Sequence, residues 1–156
     1  MKALTVQQPW AWCVVAGGKD VENRTTAWKY RGPLAIHAGQ RVSERGVLSP
    51  LYKQALAKAM RDDEPGTLTA VRRGALSFGA IIGVVELVDL HGAGPYCCES
   101  EWGERQYVEH GGRTRRQLVH LVLEDPRPVE PIPCVGRLGL WTPEQDVLNQ
   151  ITAALS

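Results

Sequence analysis

The chain has 156 residues, 44% of them hydrophobic and 22% charged, a balance that fits one domain with a packed core and excludes a disordered chain. A formal net charge of +1 excludes attraction to nucleic acid by bulk charge and leaves a local basic groove as the way to that role. The opening "MKALTVQQPW" has no signal-peptide apolar run and no segment reaches the length of a membrane span, so the expected setting is the cytoplasm with no membrane partner.

Residues 3–6 predict a short first strand. "QQPWAWCVVAGG" follows, apolar almost all round over residues 10–16. Pro9 suits the first turn and Gly17 or Gly18 the stop of a short buried helix. "GGKDVENR", residues 17–24, then sets Lys19, Asp20, Glu22 and Arg24 close together. Residues 30–39, "YRGPLAIHAG", predict a strand. Residues 49–61 predict an amphipathic helix, capped by Ser49 with Pro50 at its first position; Leu51, Ala55, Leu56, Ala59 and Met60 form its apolar face. "DDEPGT" breaks the chain. Residues 79–90, "GAIIGVVELVDL", predict the central strand, with Gly83 marking a bulge or a close approach. Residues 91–117 form a long polar excursion, a length that is usually functional or mobile.

Residues 118–125 predict another strand, "PRPVEPIP" a Pro-rich crossing, and "CVGRLGLW" a last Gly-punctuated strand. A closing helix follows, capped by Thr142, with Pro143 at its first position and Gln145 completing a capping box. The expected fold is α+β, mainly β. It is one domain over 1–156, with a core over about 4–141 and a C-terminal helix over about 143–154: a small mixed-sheet pseudo-barrel with flanking helices.

The four cysteines, Cys13, Cys97, Cys98 and Cys134, include no CxxC pair. Their spacing suits neither a zinc site nor a disulfide framework, so they read as reduced structural thiols, with no metal and no cofactor expected. Lys19, just past a helix stop, suits a phosphate contact, or a base or nucleophile where burial near cations lowers its pKa. The plain alternative is an exposed loop lysine. Glu22 and Arg24 are two apart and share a face of an extended chain. They can pair to fix Arg24 for a ligand or simply pin the strand start. In a catalytic cleft Glu22 is the general acid/base beside Lys19.

Trp10 reads as core, whereas Trp28 and Tyr30, in the polar "TTAWKYRG", read as reachable for base stacking. Basic clusters occur at Lys29 and Arg31, at Arg72 and Arg73, and at Arg113, Arg115 and Arg116. The last suits a phosphate clamp in the excursion; scattered solvated charge is the alternative. Glu86 shares an alternating face with Ile82, Val84 and Val88, so it either points inward, completing a cleft with Lys19, or faces water. His37 and His120, in apolar strands, read as structural histidines.

Four segments, "QPWAWCVVAGGKDVENR", "YRGPLAIHAG", "GAIIGVVELVDL" and "PRPVEPIPCVGRLGLW", together resemble the ASCH domain (activating-signal-cointegrator homology) of the PUA-like superfamily, over nearly the whole chain. The resemblance implies a PUA-like pseudo-barrel with a cleft lined by the GxKxxExR segment. Relatives of the superfamily bind RNA and some family members bind DNA. A few small members are hydrolases, removing the acyl group from N-acylated cytidine or cleaving RNA. In the deacylating group the proposed trio is Lys, Thr and Glu, with the Lys in a GxKxxT segment. Lys19 matches that Lys, Glu22 stands where the Thr would be, and the third residue falls among Glu99, Glu101 and Glu104. The expected function is nucleic-acid binding, RNA foremost, with Lys19, Arg24, Arg31, Arg113, Arg115 and Arg116 on phosphate and Trp28 or Tyr30 on a base. The alternatives are a metal-independent ribonuclease or cytidine amidohydrolase using Lys19 and Glu22, and a protein-interaction module.

Overall fold

The structure, a computed structural model, describes residues 1–62, 76–105, 108–110 and 113–156, with the backbone alone at 108–110 and 113–116. In chain order the elements are β1 (Lys2–Gln8), α1 (Trp10–Ala16), β2 (Val21–Arg24), β3 (Gly32–Val42), α2 (Glu44–Leu48), α3 (Pro50–Arg61), β4 (Ala80–Gly92), β5 (Val108–His110), β6 (Arg113–Arg116), β7 (Val119–Pro133), β8 (Leu140–Trp141) and α4 (Gln145–Leu155). Six strands form one sheet in the order β2-β7-β4-β3-β1-β8, and β5 pairs with β6 in a separate ribbon. β1 and β3 run parallel, joined by a connection that carries α1 and β2; the other pairs of the large sheet are antiparallel. The sheet curls into a half-barrel, the α+β, mainly β class expected of the sequence.

Two-residue alternation sends each strand's side chains to two cores. Leu4, Val6, Leu34, Ile36, Ile82 and Val85 pack on the face covered by Ala11, Trp12, Val14 and Val15 of α1. Ala3, Ala35, Ile81 and Val84 face the other way, toward Val147 and Ile151 of α4. Gly83 is both the bulge and the close approach that its position predicts. The β4–β7 register shifts between Ile81 and Gly83, and a Cβ at Gly83 would lie 2.6 Å from Val15 Cγ1 and 3.0 Å from the Arg127 carbonyl oxygen. The start of α1 is held by Gln8, fully buried, whose Oε1 accepts from the Trp12 N–H at 3.0 Å while its Nε2 donates to the Ser77 carbonyl.

Several local expectations change. The Pro-rich crossing is the second half of the 15-residue strand β7. β2 pairs with β7 as far as Val122, and the Leu123 N–H donates to the Asp20 carbonyl at 2.8 Å; past that point no strand among the described residues pairs with this edge, so prolines lacking an N–H cost no ladder bond there. The "CVGRLGLW" strand shrinks to the two residues of β8. Ser49 stands at the N-cap of α3 without a side-chain bond, whereas Ser43 caps the unanticipated α2 by accepting from the Gly46 N–H. No capping box forms at Thr142: α4 starts at Gln145, and the Thr142 hydroxyl accepts from Lys2 instead. The polar excursion contains the β5–β6 ribbon. "DDEPGT" lies, past its first residue, outside the described residues.

Candidate functional site

Gly18 takes φ +76° with open space where a side chain would be. Its role is therefore conformational, turning the chain from α1 into β2. That turn swings Lys19 inward. The Lys19 backbone N–H reaches the Cys13 carbonyl at 2.9 Å, and the residue is only 4% exposed. Its ammonium donates to the Val21 carbonyl and sits 3.0 Å from Glu22 Oε2. Glu22, buried in turn, has Oε1 3.1 Å from Arg24 Nε, and Arg24 Nη2 donates to the Thr5 carbonyl at 2.9 Å. Burial pushes the Glu22 carboxyl up, but Lys19 and Arg24 together outweigh it and hold the group below its ordinary range. The expected Glu22–Arg24 pairing is thus present, with Lys19 as a third member. Behind them the Cys13 thiol is pushed up to about 12, chiefly by burial and against the pull of Lys19, which leaves it inert as a nucleophile.

Two tryptophans flank the ammonium. Lys19 Nζ lies 5.8 Å from the Trp10 ring centroid and 6.0 Å from that of Trp102, within cation–π range. The rings meet edge to face, centroids 6.4 Å apart. Trp102 is brought over the site by Asn23, whose Nδ2 donates to the Trp102 carbonyl at 2.9 Å and whose Oδ1 accepts from the Glu104 N–H at 2.8 Å. In front lies a cleft of about 460 Å³ whose walls include Trp10, Lys19, Glu22, Asn23, Leu51 and Trp102. A wider groove of about 790 Å³ adjoins it, sharing Trp10, Glu22, Asn23, Arg45 and Glu104 and adding Arg24, Arg41 and Arg137. The shared border carries a two-pronged Arg45–Glu104 ion pair. The groove sets four arginines against Glu22 and Glu104, with Glu144 paired to Arg137 at 3.2 Å from outside the lining, which leaves a small positive excess.

Among the residues singled out in the sequence, Lys19, Glu22 and Arg24 come together here. Glu101 and Glu104 line the cleft, while Glu99 is exposed outside it. Trp28, Tyr30 and Arg31 lie elsewhere. The Tyr30 hydroxyl donates to the Pro33 carbonyl, and Arg31 donates to the Trp28 and Tyr30 carbonyls and lies 3.8 Å from Asp89. A Cβ built at Gly139, a groove residue, would lie 3.9 Å from the Trp28 ring, but Trp28 itself does not line the groove. Glu86 pairs with Arg127 at 3.2 Å and stays out of the cleft. His37 is structural as expected, its Nε2 3.1 Å from the Cys134 carbonyl. Arg72 and Arg73, and the side chains of Arg113, Arg115 and Arg116, lie outside the described residues.

Trp102, Asn23, Arg41, Arg45 and Arg137 line or support the two spaces without having stood out in the sequence, and Trp10, expected in the core, packs against it and also walls the cleft. Trp102 carries the same signal as Trp28, an aromatic ring in a polar segment, "ESEWGE". The arginines carry none, because only the sheet order brings them into one groove. All four cysteines are free thiols. Among the described residues, the group able to hold a metal lies behind Trp102: His91, Cys97, Cys98 and His120.

A mostly antiparallel sheet curled into a half-barrel, with a charged cleft at the turn that follows its first helix, defines a PUA-like domain. Within that class the chain belongs to the ASCH domain family, whose profile matches residues 4–132. Crystal structures of the ASCH protein from Zymomonas mobilis share its fold at 12% identity. The protein itself matches over 97% of this chain and 93% of its own, with a TM-score of 0.54. A Tyr-to-Phe variant matches over 97% and 96%, and a Ser-to-Ala variant over 97% and 94%, each with a TM-score of 0.56. No curated protein matches the chain in sequence.

Proposed function

We propose that the protein binds single-stranded RNA, with one base in the Trp10–Trp102 cleft and the sugar–phosphate backbone along the arginine groove. The observation that carries this reading is the junction of the two spaces: an aromatic-walled cleft opens directly onto a groove holding Arg24, Arg41, Arg45 and Arg137. Aromatic walls accept the π-face of any base, and guanidinium forks match phosphate oxygens. A base reaches such a cleft only when unpaired, which favours a single strand over a duplex. RNA is favoured over DNA by the family and its PUA-like relatives. Lys19, held by Glu22 and Val21, presents its charge between the two rings instead of reaching freely for phosphate.

The test is a fluorescence-anisotropy titration with a labelled RNA strand, the matching DNA strand and the RNA duplex, at rising salt. The expected result is tightest binding to the RNA strand, with log K falling linearly against log salt. No binding at low salt, or preference for the duplex, overturns the reading.

Hydrolysis of RNA or of N-acylated cytidine by Lys19 and Glu22 is the second reading, favoured by their 3.0 Å contact in the wall of the cleft. The lowered Glu22 pKa suits a carboxylate that takes a proton and not one that gives it at neutral pH. Product formed from either substrate in the presence of chelator supports hydrolysis. The absence of product from both, together with binding, leaves the first reading standing. Failure of both binding and turnover favours a protein-interaction module.

A further inference from the structure

His91 stands near the end of β4 and His120 near the start of β7, and the two are direct register partners across the antiparallel pair. Their rings meet edge to face, centroids 5.2 Å apart. The loop that leaves β4 folds back and lays Cys97 and Cys98 beside them. The Sγ atoms are 3.6 Å apart, each lies 3.4 or 3.5 Å from His120 Nδ1, and His120 Nδ1 lies 3.3 Å from His91 Nε2. All four donor atoms fall within 4.8 Å of one another. A tetrahedral zinc ion with bonds of about 2.3 Å to sulfur and about 2.05 Å to nitrogen sets its ligands about 3.8 Å apart for two sulfurs, about 3.6 Å for sulfur and nitrogen, and about 3.3 Å for two nitrogens. The four separations given above lie close to these edges.

We propose that His91 Nε2, Cys97 Sγ, Cys98 Sγ and His120 Nδ1 bind a single zinc ion at the back of the 93–105 loop. The second ring nitrogen of His120 is already engaged as such a site requires. His120 Nε2 lies 2.7 Å from the Glu104 carbonyl oxygen, which only accepts, so Nε2 carries the proton and Nδ1 turns a lone pair toward the sulfurs. His91 Nδ1 faces the Asp89 carboxylate at 3.7 Å. Zinc binding puts the His91 proton on that side and leaves Nε2 free for the metal, in place of the 3.3 Å contact between the two rings. Gly103 closes the cluster: a Cβ there would lie 2.8 Å from His120 Cε1 and 3.4 Å from Cys98 Sγ.

On binding, the two thiol protons leave to solvent and the two thiolates offset the 2+ charge. Two thiolates and two imidazoles at tetrahedral spacing select zinc among the common divalent ions. Four protein ligands leave no open position, so the site is structural. It ties β4, β7 and the loop together at the place from which Trp102 and Glu104 project into the cleft. Sequence spacing misses it because strand pairing, and not a CxxC motif, brings the ligands together.

The experiment is elemental analysis of the full chain purified from zinc-supplemented medium, followed by cobalt(II) titration of the chelator-treated protein. The expected result is one zinc per chain, a loss of at least about tenfold in the Cys97→Ser/Cys98→Ser double variant, and the intense visible bands of a tetrahedral cobalt dithiolate at one equivalent. Should the double variant not fold, the cobalt spectrum of the wild-type chain decides alone. Wild-type protein with neither zinc nor the tetrahedral cobalt spectrum overturns the proposal. So does zinc retained unchanged in a folded double variant, or a Cys97–Cys98 disulfide in fresh protein.

Discussion

Glu22 shows how much of the site rests on one carboxylate. Its two oxygens are divided between Lys19 and Arg24, and the outcome is a carboxyl held below its ordinary 4.5 despite burial that pushes the other way. The unfolded chain therefore takes up a proton at a pH where the folded chain does not. The stability this gives is fully present above about pH 4.5 and is lost as pH falls through the lowered folded value. Acid unfolding followed by circular dichroism should show this component in the wild type and not in Glu22→Gln. At neutral pH the variant, which leaves the buried Lys19 without its counter-charge, should be less stable by about 3–5 kcal/mol. A variant as stable as the wild type in urea would contradict the pairing. The Glu22–Arg24 half of this arrangement is legible from two-residue spacing alone. The burial of Lys19 is not, because it depends on Gly18 turning the chain inward and on Trp102 arriving from a loop some 80 residues away.

The elements were legible where periodicity and punctuation agree. α1, β3 and β4 stand close to where apolar runs and glycine or proline boundaries put them. The failures are places where tertiary context overrides local signs. Prolines that read as a crossing lie on the half of β7 that β2 does not reach. Thr142, Pro143 and Gln145 spell a capping box, yet Lys2 takes the Thr142 hydroxyl. Gly83 is the reverse case, a single glycine whose reason is visible both in sequence and in space. Its missing side chain lets α1 lie against β4, and Gly83→Ala drives a methyl into Val15 and the Arg127 carbonyl. The expected cost is about 1–3 kcal/mol, the usual penalty of overpacking, read as a lowered midpoint in thermal denaturation. An unchanged midpoint would show that α1 has room to move off the sheet.

At the scale of the whole molecule, a net charge of +1 conceals a sorted surface. The curl of the sheet gathers Arg24, Arg41, Arg45 and Arg137 from three separate stretches of chain into one groove and sets it beside two tryptophans. No count of charges along the sequence reveals that sorting, since the three stretches lie apart in the chain and Arg24 and Arg45 sit close to glutamates there. In the described residues no helix is long and apolar enough to cross a membrane. The central claim is a division of labour, in which the groove takes phosphate and the cleft takes a base. The most direct test is the salt dependence of RNA-strand affinity for Arg137→Ala and Trp102→Ala beside the wild type. Arg137→Ala should lower the slope of log K against log salt by about 1. Trp102→Ala should leave that slope in place and weaken binding by about 1–3 kcal/mol at every salt concentration. Equal affinities and equal slopes for all three proteins would contradict it.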